Sequence, residues 1–242
     1  MKPFVLQEPV AQDPEEERAR RRIDLARGYN IFAKMRWGDL GDGHITARDP
    51  ILTDHFWLLA FGIDFGDARP QDTVLVSPTG EVVGDDRPIN LTAYHIHHPI
   101  HRARPDVIGA AHVHTAFGTP FSTERRLIPP IHQESTVFFE DTALFDDDEV
   151  QILGLDGGER IAAALGQHSF AILANHGLLT TGPSVAATVA MFVLMERVCE
   201  TVMKSPNAVP ISADAARRAQ ADLRHPDMAF QSWQYLIHRH LI

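Results

Sequence analysis

The chain contains the octapeptide VIGAAHVH at residues 107–114, a short apolar run that ends in two histidines one residue apart. Strand side chains alternate between faces, so His112 and His114 would share a face with about 7 Å between their Cα atoms. That spacing suits two ligands of one metal ion. A His-x-His motif alone is a weak signal in a chain with 14 histidines. The apolar run strengthens it, because a buried imidazole without a partner would be costly.

A second stretch, SFAILANHG at residues 169–177, repeats the pattern of an apolar strand followed by a histidine. Its His176 would bring a third imidazole to the same point, and Gly177 would let the backbone turn sharply beside a crowded site. Three neutral imidazoles leave coordination positions open on a transition metal, as in catalytic rather than purely structural sites. The sequence therefore predicts a catalytic metal site at His112, His114 and His176.

The composition is that of an ordinary globular protein, with 44% hydrophobic and 22% charged residues. The length of 242 residues fits one generous domain or two small ones. A formal net charge of -10 argues against nucleic acid as a partner. No segment has the roughly 18 apolar residues of a membrane span and no signal peptide is evident, so we expect a cytoplasmic protein without a membrane partner. The single cysteine, Cys199, lies in an apolar helical pattern and is interpreted as a core residue.

Helix and strand signals alternate through the first half. Residues 13–17, DPEEE, predict a helix start, and the helix is expected to run to about Trp37. Residues 41–44 are interpreted as a loop before a short strand at 45–48. Strands at 56–61 and 73–77 are followed by the turn residues PTG, which predict a hairpin and hence antiparallel pairing.

A second helix is expected to begin at Asn90 or Thr92 and to end by Arg104, because Pro105 follows. Within it, His97 and His101 lie four residues apart and share a face. The sequence leaves two interpretations open: this face points at the metal site, or it packs on the sheet.

The second half begins with an irregular region, residues 115–148, of a length that is usually functional. It contains Glu134, a candidate proton donor. A short helix near residues 158–166 precedes the His176 strand, and a long apolar helix follows at residues 184–204. The predicted domain division is an N-terminal tail at 1–12, the main domain at 13–205 and a helical extension at 206–242. The apolar face around Trp233 predicts that this extension contacts another subunit.

These motifs together resemble the class II aldolase/adducin family. The likeness rests on Arg104-Pro105-Asp106 before the His-x-His pair and on Asn175-His176-Gly177 after the later strand, and it runs from about Arg22 to Met203. The resemblance implies a three-layer α/β/α sandwich around a mixed, largely antiparallel sheet, and assembly as a homotetramer with the active site between subunits. It also implies that His112, His114 and His176 hold one divalent ion.

Departures from the family's sugar-phosphate aldolases narrow the predicted chemistry. Their Ser-Ser-Glu run, which supplies phosphate contacts and an acid/base carboxylate, is matched here by Leu91-Thr92-Ala93. Their Gly-Asn-x-Ser turn is matched by residues 43–46, which include His44, and their Thr-Gly pair by Phe61-Gly62. Losing hydroxyl and amide donors disfavours an anion at this position. We therefore expect a non-phosphorylated, aromatic or apolar hydroxy or oxo acid, bound by His44, Phe61, Gly62 and Thr92.

The leading hypothesis is a metal-dependent carbon–carbon lyase, either a decarboxylase or a retro-aldolase. Decarboxylation fits better, since loss of carbon dioxide needs no base to remove a hydroxyl proton. The predicted catalytic residues are Glu134 and His97: one of them, or a metal-bound water, would return a proton to carbon. Two alternatives remain open from the sequence: an Fe(II)-dependent oxygenase that cleaves a carbon–carbon bond of a hydroxylated aromatic acid, and a non-catalytic assembly module like adducin. The lyase would use Zn or Mn and the oxygenase Fe, since three imidazoles suit all of these ions.

Overall fold

A computed structural model describes residues 7–242. Residues 1–6 of the predicted tail lie outside the described residues, and residues 7–12 form neither helix nor strand. The helices are α1 (Pro14–Lys34), α2 (Leu91–Ala103), α3 (Gly118–Ser122), α4 (Leu155–Leu165), α5 (Val185–Lys204), α6 (Ala213–Leu223) and α7 (Pro226–His240). The strands are β1 (Gly43–Arg48), β2 (Phe56–Leu59), β3 (Thr73–Val76), β4 (Val82–Val83), β5 (Gly109–Val113), β6 (Thr142–Phe145), β7 (Phe170–Leu173) and β8 (Gly177–Gly182).

The eight strands form one sheet in the order β4-β3-β2-β1-β5-β8-β7-β6. Every neighbouring pair is antiparallel except β6 and β7, which run parallel. The predicted α/β class with a mixed, largely antiparallel sheet is therefore confirmed. β5 lies near the middle, between β1 and β8, so the strand that carries His112 is paired on both sides.

The alternation of side chains divides the core into two layers. Ile45 and Ala47 of β1 face the layer of α1 and α5, in the largest apolar cluster. His44 and Thr46 point the other way, towards α2. On that side α2 and α4 pack over β6 and β7, in a second apolar cluster. The polar residues of β1 therefore enter the layer that also contains the histidines of α2.

The segment at residues 41–44 departs from the loop prediction, because Gly43 and His44 belong to β1 and pair with Val113 and His112. A Cβ atom on Gly43 would lie 2.8 Å from the Cα atom of Val113. Glycine is required here for close strand pairing, whereas the sequence suggested a turn. The consequence is that His44 lies directly opposite His112 in the sheet.

Other boundaries also differ from the predictions. α1 ends at Lys34, short of Trp37, because Arg36 adopts the left-handed conformation with φ 62°. Residues 115–148 hold α3, a 3₁₀ turn at Glu134–Phe138 and strand β6, so the region is more regular than expected. The helix cap is Asn90, whose side chain accepts hydrogen bonds from the backbone of α2.

The two C-terminal helices form as predicted, but their apolar face is used within the chain. Trp233 is only 2% exposed and belongs to the main core cluster, with Leu236 and Ile237 packed against it. Trp233 is thus a core residue of its own chain, and contact of the extension with another subunit stays a prediction. Within residues 7–242, no helix is both long and apolar enough to cross a bilayer.

Candidate metal centre

Two of the predicted ligands lie at the end of strand β5, and the third lies in the turn between β7 and β8. His112 is the fourth residue of β5, and His114 follows the last residue of that strand. His176 lies in the three-residue turn that joins β7 to β8. Because β5 and β8 pair in antiparallel fashion, the end of β5 lies beside the start of β8 and therefore beside this turn.

The imidazoles converge as the strand argument predicted. Each offers one nitrogen, and these atoms all lie within 4.8 Å of one another. Nitrogens bound to one ion at about 2.1 Å are at most about 4.2 Å apart, so a small side-chain movement would bring all three into coordination. The donor set therefore fits a divalent transition metal.

One ring is held by a hydrogen bond and a second lies near a carboxylate, and both arrangements favour metal binding. His112 Nδ1 donates to the carbonyl oxygen of Leu178 at 2.8 Å, which leaves Nε2 unprotonated and free to coordinate. His114 Nδ1 lies 3.6 Å from Asp42 Oδ2. Asp42 Oδ1 is buried and makes no hydrogen bond within the described chain. Such outer partners orient ligand imidazoles and raise their basicity.

The imidazoles of His112 and His176 are held in the neutral form. Burial lowers the pKa of His112 well below its ordinary value, and the neighbouring histidines add to this effect. Burial, with His114 as a further cause, lowers the pKa of His176 to about 4. Because only a neutral imidazole has a lone pair for a metal, both residues are ready to coordinate at pH 7.

In the turn before β8, the residue that allows the sharp change of direction is not the one expected from the sequence. Asn175, not Gly177, adopts the left-handed conformation, with φ 57°. Gly177 instead provides space, because a Cβ atom there would lie 3.3 Å from His112 Cε1 and 3.8 Å from His114 Cδ2. The glycine therefore lets the three rings approach one another.

Two adjoining cavities open beside the histidines. One, of about 440 Å³, is lined by the three ligands and by Thr92. The other, of about 350 Å³, is lined by Phe61, Gly62 and several apolar residues. His44 lines both cavities. All four residues predicted to bind substrate thus lie at these cavities.

The two predicted catalytic residues lie elsewhere. His97 is fully buried, and its ring lies behind His44, with His44 Nδ1 and His97 Nε2 3.1 Å apart. Its shared face with His101 therefore packs on the sheet, and any effect on substrate would pass through His44. Glu134 lines neither cavity and is half exposed beside His132. One chain alone does not bring Glu134 to the three ligands.

Asp42 is a site residue that the sequence analysis did not identify. The backbone N–H of His114 donates to the Asp42 carbonyl oxygen at 3.1 Å, which continues the pairing of β1 with β5. The missing information was the extent of β1: once His44 is placed opposite His112, Asp42 falls opposite His114.

Comparison with known proteins identifies close relatives over most of the chain. A protein from Streptomyces roseochromogenus subsp. oscitans, named 4-hydroxy-3-prenylphenylpyruvate oxygenase/4-hydroxy-3-prenylbenzoate synthase, is 35% identical over 94% of this chain and 84% of its own length. Decarboxylase NovR of Streptomyces niveus is 34% identical over 96% of this chain and 88% of its own length. The protein is therefore a class II aldolase-like enzyme.

The fold comparison agrees with this result. A solved structure of L-fuculose 1-phosphate aldolase from Glaciozyma antarctica PI12 superposes with a TM-score of 0.88 and 31% identity, covering 97% of this chain and 95% of that chain. Residues 23–203 match the family model described as the Class II Aldolase and Adducin N-terminal domain, close to the range expected from the motifs. The chain belongs to the class II aldolase and adducin family.

Proposed function

We propose that the protein is a divalent-metal-dependent carbon–carbon lyase that decarboxylates a non-phosphorylated, aromatic or apolar hydroxy or oxo acid. The observation that carries this proposal is the convergence of three imidazoles at a cavity that adjoins a second, partly apolar cavity. The chelating acid group of the substrate would enter the first cavity, and the apolar part of the substrate would enter the second. The relative named as a decarboxylase supports the reaction class.

The cavity walls favour this substrate over a sugar phosphate. Phe61 is 61% exposed at the second cavity, where a phosphate would need donors. Ala93, matched above to the aldolase carboxylate, is buried in the core, and Thr92 is the residue that reaches the metal cavity. Neither side chain can exchange a proton near neutral pH, so retro-aldol cleavage would lack its base.

The residues of this chain have separable tasks in such a reaction. His112, His114 and His176 would hold the metal, with His112 oriented by Leu178. A divalent metal bound there supplies Lewis-acid stabilisation for negative charge on substrate oxygens. His44, at the boundary of both cavities, would contact the substrate where its head group meets its apolar part. For Glu134, the predicted role as proton donor would require approach from a neighbouring subunit.

A second candidate function is favoured by one specific observation. The relative from S. roseochromogenus is named as an oxygenase, and its name contains an aromatic 2-oxo acid. Three imidazoles with open coordination positions suit Fe(II) as well as Zn(II) or Mn(II). An Fe(II)-dependent oxygenase acting on a hydroxylated aromatic acid would use the same ligands and the same cavities.

Turnover with and without oxygen distinguishes these functions. Protein loaded with a single metal, Zn(II), Mn(II) or Fe(II), is offered aromatic 2-oxo and 2-hydroxy acids in air and under argon. The lyase proposal expects equal carbon dioxide release in both atmospheres. If carbon dioxide release stops under argon, the lyase proposal is wrong and the oxygenase proposal is supported. Turnover of phosphorylated sugars alone would contradict both.

We also propose that the chain assembles as a homotetramer, as the family resemblance implies. Phe61 and Leu91 are each about 60% exposed, and these apolar side chains would be covered by a neighbouring subunit. Light scattering coupled to size exclusion at micromolar concentration should give four times the 26.9 kDa chain mass. A monomer at that concentration would contradict the assembly.

A further inference from the structure

A continuous chain of hydrogen bonds runs from the metal cavity into the layer between β1 and α2. His44 Nδ1 lies 3.1 Å from His97 Nε2, and His97 Nδ1 lies 2.8 Å from Thr46 Oγ1. Thr46 Oγ1 in turn lies 2.9 Å from His101 Nε2. All four side chains are at most 3% exposed. We call these four residues the histidine–threonine relay.

The positions of the protons on the four relay side chains depend on one another. The Thr46 hydroxyl has one hydrogen, so it donates to one imidazole and accepts from the other. Each neutral imidazole carries one N–H, so fixing the proton of His101 also fixes those of Thr46, His97 and His44. Only two arrangements satisfy every link, and they leave opposite groups at His44 Nε2: an N–H in one and a lone pair in the other.

The buried end of the relay selects one arrangement. His101 Nδ1 is enclosed and makes no hydrogen bond to any described residue. The carbonyl oxygen of Val107 lies near enough to raise the pKa of His101, but its geometry towards Nδ1 is not that of a hydrogen bond, and it already accepts from Arg48 Nε at 2.9 Å. An enclosed lone pair costs less than an enclosed N–H, which favours the His101 proton on Nε2. His101 then donates to Thr46, Thr46 to His97, and His97 to His44 Nδ1.

At the other end, His44 Nε2 is available to a ligand. Within the described chain it forms no hydrogen bond, and it is not among the enclosed unpaired atoms. His44 lines both cavities, and its ring centre lies 5.2 Å from that of His112. With Nδ1 accepting from His97, the His44 proton must be on Nε2, which faces the cavities.

Burial keeps the two inner histidines of the relay uncharged. It lowers the pKa of His97 well below the ordinary value, and together with Arg48 it lowers the pKa of His101 to about 3. The ring of His44 and its proton are therefore fixed by the neutral residues behind it.

We propose that the histidine–threonine relay holds His44 in the Nε2-protonated tautomer, so that it donates a hydrogen bond to the substrate oxygen that becomes negative during the reaction. A donor fixed in advance at that oxygen stabilises the charge without reorganisation. Thr46, His97 and His101 are positioning residues that act through His44. The proposed role towards substrate rests on the proposed function, whereas the tautomer follows from the relay alone.

The tautomer is measured directly by nitrogen NMR on protein labelled at the histidine nitrogens, with Zn(II) bound and no substrate. The His44 signals are assigned by their absence in His44→Asn. We expect Nε2 of His44 to be protonated in the unmodified protein and in Thr46→Ser, which keeps the hydroxyl. In Thr46→Val, which has a similar shape but no hydroxyl, we expect both tautomers. A proton on Nδ1 of His44 in the unmodified protein would overturn the proposal.

Kinetics of the same pair test the role towards substrate. We expect Thr46→Val to lower kcat about 10-fold, as loss of an orienting partner does, with KM and Zn(II) content unchanged. Thr46→Ser should stay within about twofold of the unmodified protein. Equal kcat in both variants would overturn the proposed role. His101→Phe, which retains stacking on Phe56, provides a second break in the relay if Thr46→Val folds poorly.

Failure of the relay and failure of the proposed function give different results. If no aromatic acid is turned over, the NMR measurement still decides whether the tautomer is fixed. If aromatic acids are turned over but His44 shows mixed tautomers in every variant, only the relay is wrong.

Discussion

At the scale of single residues, His112 fits beside the turn to β8 because position 177 has no side chain. A Cβ atom there would lie within 3.3 Å of the His112 ring, closer than side chains usually approach. The ring cannot easily yield, since its Nδ1 is bonded to the backbone of Leu178.

We therefore predict that Gly177→Ala weakens Zn(II) binding about 10-fold through displacement of His112. The free energy of unfolding of the metal-free protein should fall by about 1–3 kcal/mol, because the added methyl forces the His112 ring out of its packed position. Competition with a chromogenic chelator measures the affinity. Gly157→Ala is the control, since the atoms nearest its Cβ atom would belong to the side chains of Glu149 and Ile152 and not to a ligand histidine. Unchanged affinity in Gly177→Ala would show that the glycine has no role in the site.

The sequence was informative for residues that follow long apolar runs. The three ligand histidines, His112, His114 and His176, could be placed together because such runs mark buried strands whose ends lie side by side. His44 and Asp42 could be predicted less well, since Gly41 and Gly43 resemble turn residues. The role of Gly43, to let β1 approach Val113, depends on a contact with a distant strand. The local sequence pattern does not indicate such a long-range contact.

At the scale of secondary structure elements, short strands with polar residues were the hardest to predict. β8 contains Thr180 and Thr181, which interrupt its apolar pattern. Both are buried, with Thr180 Oγ1 donating to the Thr188 carbonyl and Thr181 Oγ1 to that of Ser169. β6 is only four residues long and, among the strands of residues 7–242, pairs only with β7. Helices were easier to predict, because caps such as Asp13 act locally.

Helix α7 is an integral part of the main core, and its tryptophan shows this. We predict that Trp233→Ala lowers the free energy of unfolding by about 3–5 kcal/mol, because it removes a large, fully packed side chain. Urea denaturation monitored by circular dichroism gives the value. Met228→Ala on the same helix is the matched control and should cost less than about 1 kcal/mol, since Met228 is 41% exposed. A loss for Trp233→Ala as small as that of the control would mean that α7 is an independent appendage.

At the scale of the whole molecule, the fold encloses several histidines that stay neutral, which links stability to pH. Burial and the nearby Arg48 lower the pKa of His101 from 6.5 to about 3. When the pH falls below 6.5, the unfolded chain binds a proton that the folded chain does not. The free energy of unfolding therefore decreases as the pH falls from 6.5 towards 3.

For one such group the decrease between pH 6 and pH 5 is about 1 kcal/mol. We predict that the metal-free protein loses about this much more stability over that interval than His101→Phe, which has no proton to bind. Urea denaturation in the presence of a chelator at both pH values tests this. If the two proteins lose stability equally, His101 is not held neutral.

The most direct test of the metal centre is the metal content and turnover of His112→Ala, measured on the same preparation. Elemental analysis should find one metal per chain in the unmodified protein and in the surface control His238→Ala. His112→Ala should contain none and should lose turnover of aromatic acids, while its circular dichroism spectrum stays unchanged because most of the core lies elsewhere. A full complement of metal in His112→Ala would contradict the assignment of these histidines as ligands.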